Sequence, residues 1–383
     1  MNLLYPKAED TLSVVLKLPG ETCNINCHYC YEKRKPYPGS SSLTAEMLEQ
    51  FLTLMGERPL SVMLHGGEPL LVGQHRMLSL IRVLMQHPAP VSYSIQTNGT
   101  LLNARWLDFF DEHCPSLDIG ISLDGTAAGN AHRVDYRGKL TYDRVVRALD
   151  LLASRNRACG VIVVVTKLLL GQADAVVDEM LNHPAIRNVK LSPCLDYKVT
   201  SKDHRGISGR QIRALNPSDA VQPGWATAPG EYSQFLQEIF VSWRDKKAYH
   251  HFLLEPFVSI VRALSGRPTG FTHFDYRKDP FVVTLYPDGR IGSCDELTMP
   301  EALLGTVDAG ISVQDLIDQA HDRQYFRKLG MLLRDCEGCR VANICRGGSL
   351  PDRVRYEQDT DHTAYCRSRI DIIESVRDLA KRD

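Results

Sequence analysis

The sequence predicts an α/β protein built on a parallel sheet, either a barrel or a doubly wound sheet. Two observations carry this. Over the first 195 residues, short apolar runs rich in β-branched residues alternate with helix-like stretches. Each run also ends in a polar or Gly-containing turn, the punctuation of a strand feeding a helix.

Taken in order, the strand-like runs are "TLSVVLKLP" (11–19), "LSVMLHG" (60–66), "VSYSIQTNG" (91–99), "LDIGISLDG" (117–125), "GVIVVVTK" (160–167) and "NVKLSPC" (188–194). Helices are expected between them at 43–57, 75–86, 103–113, 141–155 and 172–182, the first with Ser42 or Thr44 as its N-cap. Ligands of a parallel sheet gather at the C-terminal ends of its strands, so chemistry is sought in those polar turns. Residues 196–230 are polar, Gly/Pro-punctuated and aperiodic, as in a long binding loop. Helix-like stretches follow at 231–246 and 252–265, and "FVVTLYPDGRIGSCDEL" reads as a hairpin about Pro287-Asp288-Gly289. The expected units are therefore 1–195, 196–280 and 281–383.

Bulk properties narrow the function. The chain has 383 residues, 43% apolar and 24% charged, with a formal net charge of −1. No overall field draws it to nucleic acid or an anionic membrane. No apolar run is long enough to span a bilayer, and the N-terminus lacks the pattern of a secretory signal. Eleven cysteines, an odd and clustered set, favour metal chemistry in a reducing, cytoplasmic setting over disulfides.

The first cysteine group, Cys23, Cys27 and Cys30, follows the first strand in "GETCNINCHYCYEKRK". Three thiolates hold three irons of a four-iron cluster and leave the fourth open to a small molecule, whereas a closed zinc site wants four ligands. "HGGEPLL" follows the second strand, "QTNG" (96–99) the third, and "SLDG" (122–125) with "HRVD" (132–135) the fourth. A second group, Cys336, Cys339, Cys345 and Cys366, lies in a loop-rich tail, where four thiolates suit zinc or a four-iron cluster equally. Cys114, Cys159 and Cys194 have no ligand spacing and are expected to be buried structural thiols, Cys194 near the active site. His65 ends a strand, and Lys33, Arg34 and Lys35 form a basic run.

The triplet C-x3-C-x2-C, with the aromatic Tyr29 before its last Cys, resembles the signature of the radical S-adenosylmethionine (SAM) superfamily. The resemblance implies a partial (β/α)6 TIM-type barrel and a [4Fe-4S] cluster on Cys23, Cys27 and Cys30 that binds SAM. It implies cofactor contacts from Gly66, Gly67 and Glu68, the last toward the SAM ammonium, and from Gln96, Asn98, Asp124 and Leu191. Ser122 and Arg133 match the positions that hold the SAM carboxylate. The tail resembles the SPASM domain of radical SAM peptide-modifying enzymes, with Gly289 to Cys294 as its lead-in. Two cysteines of the full SPASM pattern are missing: "HFDYRKD" (273–279) has none, and Ser349 stands at the place of another. One auxiliary [4Fe-4S] cluster, on the second cysteine group, is therefore expected.

Asp295 directly follows Cys294, where the anaerobic sulfatase-maturing branch places a general base. The tail also resembles maturases that form cyclophanes in ribosomal peptides, joining a side-chain carbon to an aromatic ring. The expected partners are a ribosomal precursor peptide with an aromatic residue in its core and an electron donor such as flavodoxin or ferredoxin. Sulfatase-type oxidation of Ser or Cys to formylglycine, thioether formation and epimerisation are the alternatives. With 22 residues before Cys23, leader recognition is expected at the barrel rim, in the 196–230 segment or on a separate protein.

Overall fold

The computed structural model describes residues 4–32, 41–89, 91–194, 199–200, 220–221, 225–269, 275–296, 302–349, 352–353 and 362–379. The basic run 33–35 and most of the 196–230 segment lie outside the described residues.

Six parallel strands stand side by side in chain order: β1 (Leu12–Lys17), β2 (Leu60–His65), β3 (Val91–Thr97), β4 (Asp118–Ser122), β5 (Cys159–Val165) and β6 (Ile186–Pro193). Between them run α1 (Ala45–Met55), α2 (Gly73–Met85), α3 (Ala104–His113), α4 (Tyr142–Ser154) and α5 (Ala173–Leu181). A doubly wound sheet would reverse its strand order at a switch point. No reversal occurs within β1–β6, so the winding is that of a partial (β/α)6 barrel. Thr44, not Ser42, caps α1: its hydroxyl accepts the Met47 amide at 3.2 Å. Leu48, Phe51, Leu52 and Met55, at helical spacing, bury that helix against the sheet.

The two-residue strand period divides the side chains between two environments. Leu60, Val62 and Leu64 of β2, and Val161, Val163 and Val165 of β5, are buried in the layer under the helices. The alternate residues face inward and line a cavity: Ser13 and Val15 of β1, Ser61, Met63 and His65 of β2, Ser94 and Gln96 of β3, and Ile162 and Val164 of β5. The barrel interior is thus half polar, which the apolar character of the strands did not announce.

Six small strands follow among the described residues. β7 (Val199–Thr200) and β8 (Ala220–Val221) form a two-stranded antiparallel pair, β9 (Leu253–Glu255) adds parallel to β6, and β10 (Val282–Leu285) adds parallel to β1. The predicted hairpin joins β10 to β11 (Arg290–Gly292), and β12 (Leu303–Thr306) completes a ten-stranded sheet. Gly289 occupies its turn at φ +82°, a conformation that glycine adopts without strain. The sheet therefore runs unbroken through residue 281, the expected boundary of the tail. The helices Pro229–Asp245 and His362–Leu379 are also tied together, with Ser368 Oγ donating to the Pro229 carbonyl at 2.8 Å. No described helix is long and apolar enough to cross a membrane.

Candidate active site

The inward faces of β1–β6 and the loops after them enclose a cavity of about 360 Å³. Cys23, Cys27 and Cys30 form one wall, packed with Ile25, Tyr29 and Cys194 and edged by Val164 and Trp225. Burial, and then the neighbouring Cys27, push the Cys23 thiol up to about 12. Three cysteines on one wall suit an iron–sulfur core, which thiolates bind. Cys114 and Cys159 instead belong to the apolar core under the helices, whereas Cys194 joins the cysteine wall.

The glycines after β2 serve the cysteine loop first. A Cβ on Gly67 would stand 2.1 Å from the Thr22 carbonyl oxygen, and one on Gly66 2.5 Å from the Pro19 ring. Gly67 N–H donates to Gly20 O at 2.8 Å and Glu68 N–H to Thr22 O at 2.9 Å, so the two loops are stitched backbone to backbone. Glu68 is fully buried and does not line the cavity. Its carboxylate accepts from Leu70 N–H, Thr97 Oγ1 and Asn98 N–H at 3.1, 2.7 and 2.8 Å, bracing the β2 turn against the end of β3. Asn98 in turn donates from its amide to Cys23 Sγ at 3.6 Å.

On the β4 side, Ser122 and Arg133 both face the cavity, and Gln96 Nε2 donates to Ser122 Oγ at 3.0 Å. Arg133 donates to the Tyr29 hydroxyl at 2.8 Å, and Tyr29 donates to the buried Asp124. Arg133 Nε is buried and has no hydrogen-bond partner among the described residues. An orphaned guanidinium donor beside a serine hydroxyl suits an incoming carboxylate. Asp124 stands behind Tyr29 and also accepts Val164 N–H at 2.9 Å. Leu191 is expected at the cofactor, but the strand period turns its side chain into the helical core and presents Lys190 and Ser192 instead.

A cluster of charged groups also borders the cavity. Lys17, fully buried at the end of β1, lies 2.6 Å from Glu32 Oε1, 2.6 Å from Asp295 Oδ2 and 3.1 Å from His65 Nδ1. Tyr31 donates to the same Asp295 oxygen at 2.7 Å. Burial, and then the nearby Asp295, Glu32 and Glu296 carboxylates, push the Tyr31 phenol well up, so it remains a donor. Lys278 pairs with Glu296 at 2.5 Å, next to the buried Cys294. Burial raises the Cys294 thiol as well. Of these residues only His65, Cys294, Asp295 and Glu296 stand out in the sequence. Lys17, Tyr31, Glu32, Lys190 and Lys278 do not. The available signal was a single lysine near the end of an otherwise apolar strand, in "SVVLKL" and again in "NVKLSP".

The tail cysteines are mutually close: Cys336 is influenced by Cys345 and Cys339, and Cys366 by Cys345 and Cys336. Arg353, fully buried, points a donor at Cys336 Sγ at 3.5 Å, and Arg369 Nε lies 3.1 Å from Cys345 Sγ. Two guanidiniums beside four clustered cysteines suit a site that gathers negative charge.

Comparison with known proteins agrees with this geometry. Residues 18–182 match the radical SAM superfamily. The chain is 26% identical over 358 residues to a serine-type anaerobic sulfatase-maturating enzyme of Klebsiella aerogenes, covering 90% of this chain and 80% of that one. It is 35% identical over 362 residues to an uncharacterized protein of Archaeoglobus fulgidus, covering 91% and 77%. A solved structure of anSMEcpe with bound AdoMet superposes with a TM-score of 0.76 at 20% identity, covering 98% of this chain and 99% of that one. The three-cysteine loop after the first strand, the polar-lined barrel and the matched span agree: the chain belongs to the radical SAM superfamily of enzymes.

Proposed function

We propose that the protein oxidises a side chain of a peptide by two electrons, converting a seryl or cysteinyl residue to an aldehyde. The observation that carries this is Asp295, a carboxylate held by Lys17 and Tyr31 on the wall of the same cavity as the three cysteines. The sulfatase-maturating relative supports the same reading. With its cluster and SAM bound, the site supplies a 5′-deoxyadenosyl radical, which abstracts hydrogen from unactivated carbon.

The residues would divide the work as follows. Cys23, Cys27 and Cys30 would hold the cluster. Ser122 and Arg133 would take the SAM carboxylate, while Glu68 and Asn98 brace the cysteine loop. For a serine, –CH2OH becomes –CHO by losing one hydrogen atom, one proton and one electron. Asp295 would receive the proton. Cys336, Cys339, Cys345 and Cys366 would hold the group that accepts the electron.

The radical SAM match favours an iron–sulfur cluster over zinc at the first cysteine group. Iron and sulfide analysis of the anaerobically reconstituted protein should give about eight irons, and about four after Cys23→Ala/Cys27→Ala/Cys30→Ala. About four falling to none would remove the tail cluster and the electron acceptor with it.

A second reading is a cross-link between a side-chain carbon and an aromatic ring of a ribosomal peptide. The Lys278–Glu296 ion pair favours it, because that pair stands beside Cys294 where a full SPASM pattern would bring further cysteines. Mass spectrometry of serine and cysteine peptides treated with enzyme, SAM and reductant separates the two readings. An aldehyde trapped by a hydrazine supports oxidation. A loss of two hydrogens that no hydrazine traps supports the cross-link, and intact peptides throughout overturn both.

A further inference from the structure

Burial of a lysine is unfavourable unless an anion accompanies it. Two lysines, Lys190 and Lys278, line the cavity, and Lys17 is buried beside its Asp295. Lys17 is matched by Glu32 and Asp295, and Lys278 by Glu296. The Lys190 side chain, half-buried, makes no hydrogen bond and no ion pair among the described residues. It stands on the inward face of β6, beside Ser192, and lines the cavity.

Its surroundings place it near Asp295. The groups that act on it electrostatically include Lys278, Glu296, Cys294, Asp295 and Glu255. Each nearby carboxylate is committed elsewhere: Glu296 to Lys278, and Asp295 to Lys17 and Tyr31. Glu255 is its cross-strand neighbour on β9, but that carboxylate turns to Ser259, accepting its hydroxyl at 2.9 Å and its amide at 3.3 Å. Burial and the adjacent Lys278 both lower the affinity of Lys190 for its proton, as expected of an ammonium that lacks a counter-ion. The missing anion would have to enter through the cavity, as substrate does.

We propose that Lys190 binds a carboxylate of the substrate peptide, either a side-chain carboxylate near the modified residue or the free C-terminus. This rests on the reading of the substrate as a peptide. A carboxylate held there would fix the peptide beside Asp295 and select acidic or C-terminal sequences over neutral ones.

The test uses the reconstituted holoenzyme and a serine peptide in four versions: Glu or Gln beside the serine, each with a free or an amidated C-terminus. Kinetics are compared for the parent, Lys190→Met and Lys190→Arg. The parent should favour one carboxylate-bearing version, and which one it favours identifies the source. Lys190→Met should raise KM for that version by roughly thirtyfold or more and leave the neutral version unchanged. Lys190→Arg should restore most of the affinity. Peptide-free SAM cleavage and iron content should stay at parent level, showing that the variants fold. Equal KM for all four versions in the parent overturns the proposal while leaving the peptide reading intact. A Lys190→Met defect confined to the KM for SAM also overturns it, because the lysine would then serve the cofactor's carboxylate. No turnover of any version removes the peptide reading and this proposal together.

Discussion

Asp295→Asn should stop peptide oxidation while leaving radical generation in place. The amide keeps the size of the carboxylate, and its oxygen can still accept from Lys17 and Tyr31, which donate at 2.6 and 2.7 Å. What it loses is the capacity to take a proton. General-base removal of this kind lowers turnover by about 10²–10⁴-fold. The substitution leaves the three cysteines and the Ser122–Arg133 pair in place, so 5′-deoxyadenosine should still form within a few-fold of the parent rate. With a peptide deuterated at the reacting carbon, deuterium should still pass into 5′-deoxyadenosine, because hydrogen abstraction precedes proton loss. Retention of product at the parent level would remove Asp295 from the reaction. Loss of 5′-deoxyadenosine together with product would mean that the substitution disturbs the cluster wall.

Much of the scaffold was legible in the sequence because strands buried on both faces are written as short apolar runs between turn residues. The six parallel strands fall within one to a few residues of their expected spans. The cysteine groups were legible because ligand spacing is local. Properties that depend on register were not. Leu191 and Lys190 are adjacent, and a shift of one residue exchanges the cavity face for the core face. Glu68 and Gly67 read as ligand contacts, yet their nearest duty is to brace the cysteine loop, a fact that depends on how β1 and β2 turn toward each other. The least legible feature was the union of the two ends of the chain. Lys17 and Asp295 are 278 residues apart in sequence, and they meet because β10 pairs with β1. No local pattern announces such a pairing.

That union makes Lys17 the residue whose loss should be felt most in stability. Its ammonium is fully buried between Glu32, from the segment after the cysteine loop, and Asp295, from the segment after β11. Lys17→Met keeps the stem but leaves two carboxylates facing each other with their shared cation gone. Breaking a buried ion pair by removing one partner costs about 3–5 kcal/mol, because the remaining charge loses its compensation. Urea unfolding of the anaerobic protein should show a midpoint lowered accordingly, together with poorer cluster retention, since Glu32 follows Cys30 by two residues. Lys17→Met/Glu32→Gln removes one of the stranded carboxylates and should recover a substantial part of the loss. A buried pair replaced by neutral groups is often tolerated better than a pair cut in half. If the double variant is no more stable than the single one, the defect lies in packing rather than charge, and Lys17 would then act as a spacer between β1 and the tail. Recovery of stability without recovery of peptide oxidation would divide its roles: Glu32 as the structural counter-ion, and Lys17 as the group that aims Asp295 at the substrate.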